Sequence, residues 1–203
     1  MVVVQNFLKV KRLILFVCFL FFSTNSFSQN LKSNKIIDLK APWGSSFLNE
    51  DEIIITEKSG KIKIININSK EVSVIEHNLN FLEHGQGGLL DILYKNNKLW
   101  ISYTENRENR KTSTSIAKAY FNKKKLIFKN IFQANPPIES GYHFGSRLAI
   151  KDNYLFASVG ERGEGMIAQD ASKHPGSIIR IHLDGNIPKD NPKFEGKSDW
   201  LPE

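Results

Sequence analysis

The chain has 203 residues, with 28 Lys and Arg against 21 Asp and Glu, and a single cysteine. Its basic residues are scattered, as in "KSNK", "NKKK" and "NRENRK", with no stripe of interleaved aromatics, which argues against a nucleic-acid partner. One cysteine excludes an internal disulfide framework.

Residues 1–28 read as a secretory signal. Lys9, Lys11 and Arg12 precede an apolar run from Leu13 to Phe22, and Ser26-Phe27-Ser28 has the small-x-small form of a cleavage site. An uncleaved anchor is the alternative, but spanning a bilayer takes roughly 20 apolar residues. Cleavage would leave Gln29 as the mature N-terminus and a periplasmic or secreted protein, touching the membrane only through the signal before its removal. Cys18 lies inside the apolar run and would be lost with it, which suits an oxidising compartment and a fold without disulfides. Removing Lys9, Lys11 and Arg12 takes 28 basic residues to 25 against 21 acidic ones, an excess of four.

The rest, 29–203, reads as all-β. "EIIITEKSGKIKIINI" is a hairpin about Ser59-Gly60, "LLDILYKNNKLWISYT" another about Asn96-Asn97, and "RLAIKDNYLFASVG" a third about Asp152-Asn153. Shorter strands are expected at "EVSVI", "SIAKAYF", "KLIFKNIFQ" and "SIIRIHL", and no amphipathic helical period is present. The hairpins recur at roughly 40 to 55 residues, near the period of four-stranded propeller blades. A β-sandwich is the alternative. At this period the chain supplies three or four blades where a closed ring has about four to eight. An incomplete ring leaves an open strand edge and an uncovered apolar face.

Three glycine-bearing segments stand at strand junctions. "PWGSSFL" (42–48) reads as a blade-entry turn. In "EHGQGGLLDIL" (83–93), Gln86 offers amide donors and an acceptor among Gly85, Gly87 and Gly88, as a bulge or as a ligand loop. No Lys-Ser/Thr and no helix follow, so phosphate cradling does not match. In "SGYHFGSRL" (140–148), His143 sits at the mouth of a strand. If the following hairpin turns at Asp152-Asn153, its two ends meet and "VGERG" brings Glu161 beside His143. A carboxylate at an imidazole orients the ring and stabilises its protonated form, which is how a general base is built; a surface salt bridge is the other reading. His182 is expected on a blade face, His77 in a polar linker, His84 beside the glutamine loop and His174 at the border of the same funnel. No histidine pair has zinc spacing with a third donor, and "DGNIPKDNP" lacks the EF-hand pattern.

Taken together and in order, "PWGSSFL", "GQGGLLDI", "HFGSRLAI", "ASVGERG" and "HPGSIIRIHLDGNIPKDNP" resemble the soluble quinoprotein glucose/sorbosone dehydrogenase family, in particular its aldose sugar dehydrogenase branch, from about Ala41 to the end. The resemblance implies a six-bladed β-propeller, here its N-terminal part, with pyrroloquinoline quinone (PQQ) in an axial funnel. It implies that His143 takes the proton of an aldose's anomeric hydroxyl while hydride passes to the quinone, and that Gln86 contacts the cofactor. Glu161 stands where the family usually has Asp. Tyr142 stands where the glucose dehydrogenase branch has an acid, and Ser177 where a lysine is usual. An external electron acceptor completes the cycle. The quinone-gripping arginines and the ligands of an activating calcium come from later blades, beginning with a "GHRNPQG"-like segment that this chain does not contain. The 203 residues alone are therefore expected not to oxidise sugar. A non-catalytic binding propeller and a calcium-dependent lactonase-like hydrolase are the alternatives.

Overall fold

The period-two segments pair with their sequence neighbours into three antiparallel sheets. The computed structural model describes residues 31–193 and 201; the signal segment, its cleavage site and Cys18 lie outside the described residues. All elements belong to the unit Ile36–Glu203. β1 (Pro42–Phe47), β2 (Glu52–Glu57), β3 (Ile62–Asn66) and β4 (Val72–His77) form the first sheet in chain order. β5 (Leu89–Lys95), β6 (Lys98–Asn106) and β7 (Thr112–Tyr120) lead, through the two-residue β8 (Lys125–Leu126), to β9 (Lys129–Gln133), which completes the second. β8 itself pairs in parallel with β4, fastening the outer loop of the second sheet to the outer edge of the first. β10 (Gly145–Lys151), β11 (Tyr154–Val159) and β12 (Ile178–His182) form the third. The one helical element among the described residues is a 3-10 turn, Gly165–Gln169, and no described helix is long and apolar enough to cross a membrane.

Alternation along β6 shows why the sheets stack. Successive strand side chains point to opposite faces. Leu99, Ile101 and Tyr103 join Ile54, Ile62, Ile64 and Ile75 of the first sheet, while Trp100 joins Leu148, Leu155, Ala157 and Ile181 of the third. A strand buried on both faces has no polar side to show, as "LWIS" does not. Beyond the third sheet the pattern continues without a neighbour among the described residues: β11 turns Tyr154, Phe156 and Ser158 away from its core, and Ile178 is 68% exposed. This is the uncovered face that a partial propeller leaves.

The hairpin turns fall where the sequence places them. Asn96 and Asn97 both have positive φ, 49° and 59°, as a two-residue type I′ hairpin loop requires. The three hairpins are not equivalent, however. Those at Asn96-Asn97 and Asp152 join the first and second strands of their sheets, whereas that at Ser59-Gly60 joins β2 to β3, so the apparent period mixes two positions in the blade. "PWGSSFL" likewise is not an entry turn. It is β1 itself, with an irregularity between Pro42 and Ser45.

That irregularity repeats in every sheet and carries the contacts between sheets. The register slips at Trp43-Gly44, at Leu90-Asp91 and at Ser146-Arg147. At each slip a backbone N–H of the first strand donates to a hydroxyl of the second: Gly44 to Thr56 (3.0 Å), Asp91 to Ser102 (3.0 Å), Arg147 to Ser158 (3.1 Å). The hydroxyl then donates onward to the bulged strand of the next sheet, Thr56 to the Leu90 carbonyl and Ser102 to that of Ser146 (2.7 Å). A bulge leaves backbone groups unpaired, and these hydroxyls satisfy them on both sides. Ser102 is fully buried. Ser102→Ala is expected to lower stability by about 1–3 kcal/mol, the usual cost of a stranded buried polar group. Ser102→Thr, copying the first sheet, is expected to retain most of it in a denaturant melt.

Candidate functional site

Three loops converge where the first strands begin: 83–88 before β5, 140–144 before β10, and 160–164 after β11. The Gln86 N–H donates to the Gly141 carbonyl at 2.7 Å, and the His143 N–H donates to Oε1 of Gln86 at 2.9 Å. On the other side, Gly160 N–H donates to the Phe144 carbonyl at 3.1 Å. Two glycines make this approach possible. Gly85 has φ +56°, and a Cβ there would run into the Gly141 backbone; a Cβ on Gly160 would overlap the His143 carbonyl. Lys58 donates from its Nζ to the Gly85 carbonyl and pins the loop from below.

His143 is held at φ +47°, uncommon for a residue with a side chain. Such strain persists where the surroundings over-determine it, and it gathers at functional sites. The ring is not packed away: its side chain is 53% exposed, and Nδ1 meets a carboxylate oxygen of Glu161. That hydrogen bond holds the Glu161 carboxyl below the usual carboxylate range, helped by its own N–H and that of Gly163. An ionised carboxylate only accepts, so Nδ1 is the donor in this pair, and in the neutral ring Nε2 is the nitrogen that can accept a proton. The arm of glutamate, one methylene longer than aspartate, reaches the ring. The expectation that the hairpin brings Glu161 to His143 therefore holds, and Gln86 lies against the same residue.

Other expectations resolve differently. His174 does not border this site. It is 5% exposed, its Nδ1 accepts from the Asn135 N–H at 2.8 Å, and its ring meets Phe132 edge-on at 5.0 Å. His77 is not in a linker but closes β4, with Nε2 2.7 Å from the Gly60 carbonyl. His182 ends β12 and lies against Tyr154, as its alternation implies. His84 packs on Gly141, beside the glutamine loop. Tyr142 stands 61% exposed next to His143, their ring centroids 6.2 Å apart.

Two residues essential to the arrangement carry no sequence signal strong enough to find them. Asp91, 5% exposed, accepts from the Leu148 N–H (2.9 Å) and from Arg147 Nη1 (3.2 Å), latching β5 to the strand that follows His143. Arg162, inside the same "GERG" that supplies Glu161, is buried beneath the loop. Its flanking glycines were the available clue.

For a quinone, the fit rests on Gln86. The residue is exposed, its oxygen is taken by His143, and its Nε2 donors have no partner among the described residues. Amide donors suit the carbonyls and carboxylates of PQQ. For a metal, no three His, Cys, Asp or Glu among the described residues converge on one point.

Known proteins match both sequence and geometry. The family model described as "Glucose / Sorbosone dehydrogenase" covers residues 39–202. The aldose sugar dehydrogenase YliI of Escherichia coli (strain K12) is 30% identical over 164 residues, 76% of this chain and 44% of that protein. A crystal structure of a glucose dehydrogenase superposes with TM-score 0.78 at 31% identity, over 84% of this chain and 52% of that one. The PQQ-bound form of an aldose sugar dehydrogenase from Streptomyces coelicolor shares the fold at 22% identity, with TM-score 0.68 over 78% of this chain and 49% of that one. The chain thus spans about half the length of these relatives, as three propeller sheets would. It belongs to the glucose/sorbosone dehydrogenase family.

Proposed function

We propose that this chain is the part of a PQQ-dependent aldose dehydrogenase that carries the catalytic base. The observation that supports this reading is the exposed His143–Glu161 pair, tied through a backbone hydrogen bond to Gln86. Bound PQQ supplies an electrophilic quinone carbonyl that accepts hydride, with an external acceptor taking the electrons afterwards. His143 Nε2 takes the proton of the aldose's anomeric hydroxyl as the C1–H bond breaks, leaving a lactone. Glu161 keeps the ring in the tautomer that can do so and stabilises the imidazolium that forms. With its oxygen taken by the His143 N–H, Gln86 would hold the quinone through its amide donors. The gene product is exported, and its substrate is met outside the cytoplasm.

Because the chain covers about half of its relatives, turnover is expected of the complete propeller and not of the 203 residues alone. In the completed protein, Gln86→Ala is expected to weaken PQQ binding by about tenfold, the worth of one hydrogen bond to a charged group. An unchanged Kd by quinone fluorescence or absorbance titration would remove Gln86 from the cofactor site.

A further inference from the structure

Arg162 is 2% exposed and meets no carboxylate among its hydrogen-bond partners. Its Nε donates to the Tyr142 carbonyl (2.9 Å) and Nη1 to the Thr112 carbonyl (3.0 Å). Nη2 donates to the Thr112 hydroxyl (2.7 Å) and to the Ser140 carbonyl. Four of the five guanidinium donors are thus used. The Phe144 ring covers its face, 3.7 Å from Cζ to centroid.

Burying a cation without a counter-charge is costly, and burial pushes this guanidinium down to about 10, still cationic at neutral pH. The distribution of its bonds shows what the charge holds. Ser140, Tyr142 and Phe144 flank His143 on both sides, and Glu161 is the covalent neighbour of Arg162. Thr112, the third anchor, opens β7 in the second sheet. We infer that Arg162 is a positioning residue: its planar fork locks the His143 loop and the Glu161 turn to the second sheet as one unit, setting the geometry of the His143–Glu161 pair. This rests on the functional reading only for its catalytic consequence, since the pair itself is observed.

A lysine could supply the charge but not the fork. A glycine could supply neither, yet would sit without strain, because Arg162 has φ +63°.

The test follows the Nδ1–H of His143 in the 203-residue chain by ¹⁵N-resolved NMR across pH. The wild type is expected to show a slowly exchanging downfield proton. Arg162→Gly is expected to lose it and to shift the His143 titration. Millimolar methylguanidinium is expected to restore both, and methylammonium neither. Arg162→Lys should behave as Arg162→Gly does. If the glycine variant does not fold, Thr112→Val, which keeps the shape and removes one acceptor, is expected to speed exchange of that proton with water. A retained proton and unchanged titration in folded Arg162→Gly, or unchanged exchange in Thr112→Val, overturns the proposal. In the completed, quinone-loaded enzyme, Arg162→Lys should lower kcat by about 10²-fold, as a misplaced catalytic group does, with KM for the sugar little changed. If the NMR changes occur but the wild-type enzyme does not oxidise aldoses, the positioning role stands and the dehydrogenase reading fails.

Discussion

Replacing His143 by alanine in the quinone-loaded, completed propeller is expected to lower kcat by about 10²–10⁴-fold, the usual contribution of a positioned general base. Three observations support so large an effect for a residue more than half exposed. Nδ1 is committed to Glu161, which leaves a defined Nε2. The backbone N–H is committed to Gln86, so the imidazole does not drift from the proposed cofactor residue. The positive φ of His143 marks a loop that its surroundings hold in one conformation. The fall should appear in kcat and kcat/KM alike, since proton removal belongs to the transition state and not to sugar binding. PQQ affinity should change little, because the proposed cofactor contact is the Gln86 amide and not the imidazole. A steady-state dye-reduction assay at saturating quinone decides it: a variant turning over at the wild-type rate would show that another group is the base, and the dyad would be a surface ion pair.

Trp100→Ala is expected to cost about 3–5 kcal/mol, the range for emptying a buried aromatic site. Trp100 is 1% exposed and is the largest side chain between the second and third sheets. Its Nε1–H donates to the Leu183 carbonyl at 3.0 Å, and Lys118 lies over its ring at 5.3 Å. Truncation would open a cavity against Leu148, Leu155 and Ile181 and leave the Leu183 carbonyl with Lys118 Nζ (2.8 Å) in place of two donors. The consequence reaches function because Gln86 enters on the second sheet and His143 and Glu161 flank the third. Loosening that interface should broaden the NMR signals of the dyad before global unfolding. Trp100→Phe, which keeps most of the apolar volume and loses only the indole N–H, should cost markedly less in a urea melt. Equal losses in both variants would place the stabilisation in the hydrogen bond instead of the packing.

Much of this was written in local pattern. The apolar run "LWIS" and the alternation in "IIRIH" specify strands, and Asn-Asn between apolar runs specifies a tight hairpin. The hairpin at Asp152 makes the meeting of His143 with Glu161 a matter of register: its ends pair Gly145 with Val159, each two residues from its partner in the site. The role of Thr56 and Ser102 was not legible, because each joins two strands that lie far apart in sequence. His174 misleads for the same reason, since nothing near it in the chain announces the Phe132 and Asn135 that bury it.

What the sequence by itself determined, then, is the strand inventory, the turns and the juxtaposition of residues joined by one hairpin, because those depend on side-chain period and on a short loop's conformation. Only the tertiary structure decided that Gln86, from one sheet, would brace His143, from the next. It alone set Asp91 as a latch and Arg162 as a buried clamp. Those roles depend on backbone groups of distant loops coming within hydrogen-bond reach, and a carbonyl looks the same in every residue of a sequence.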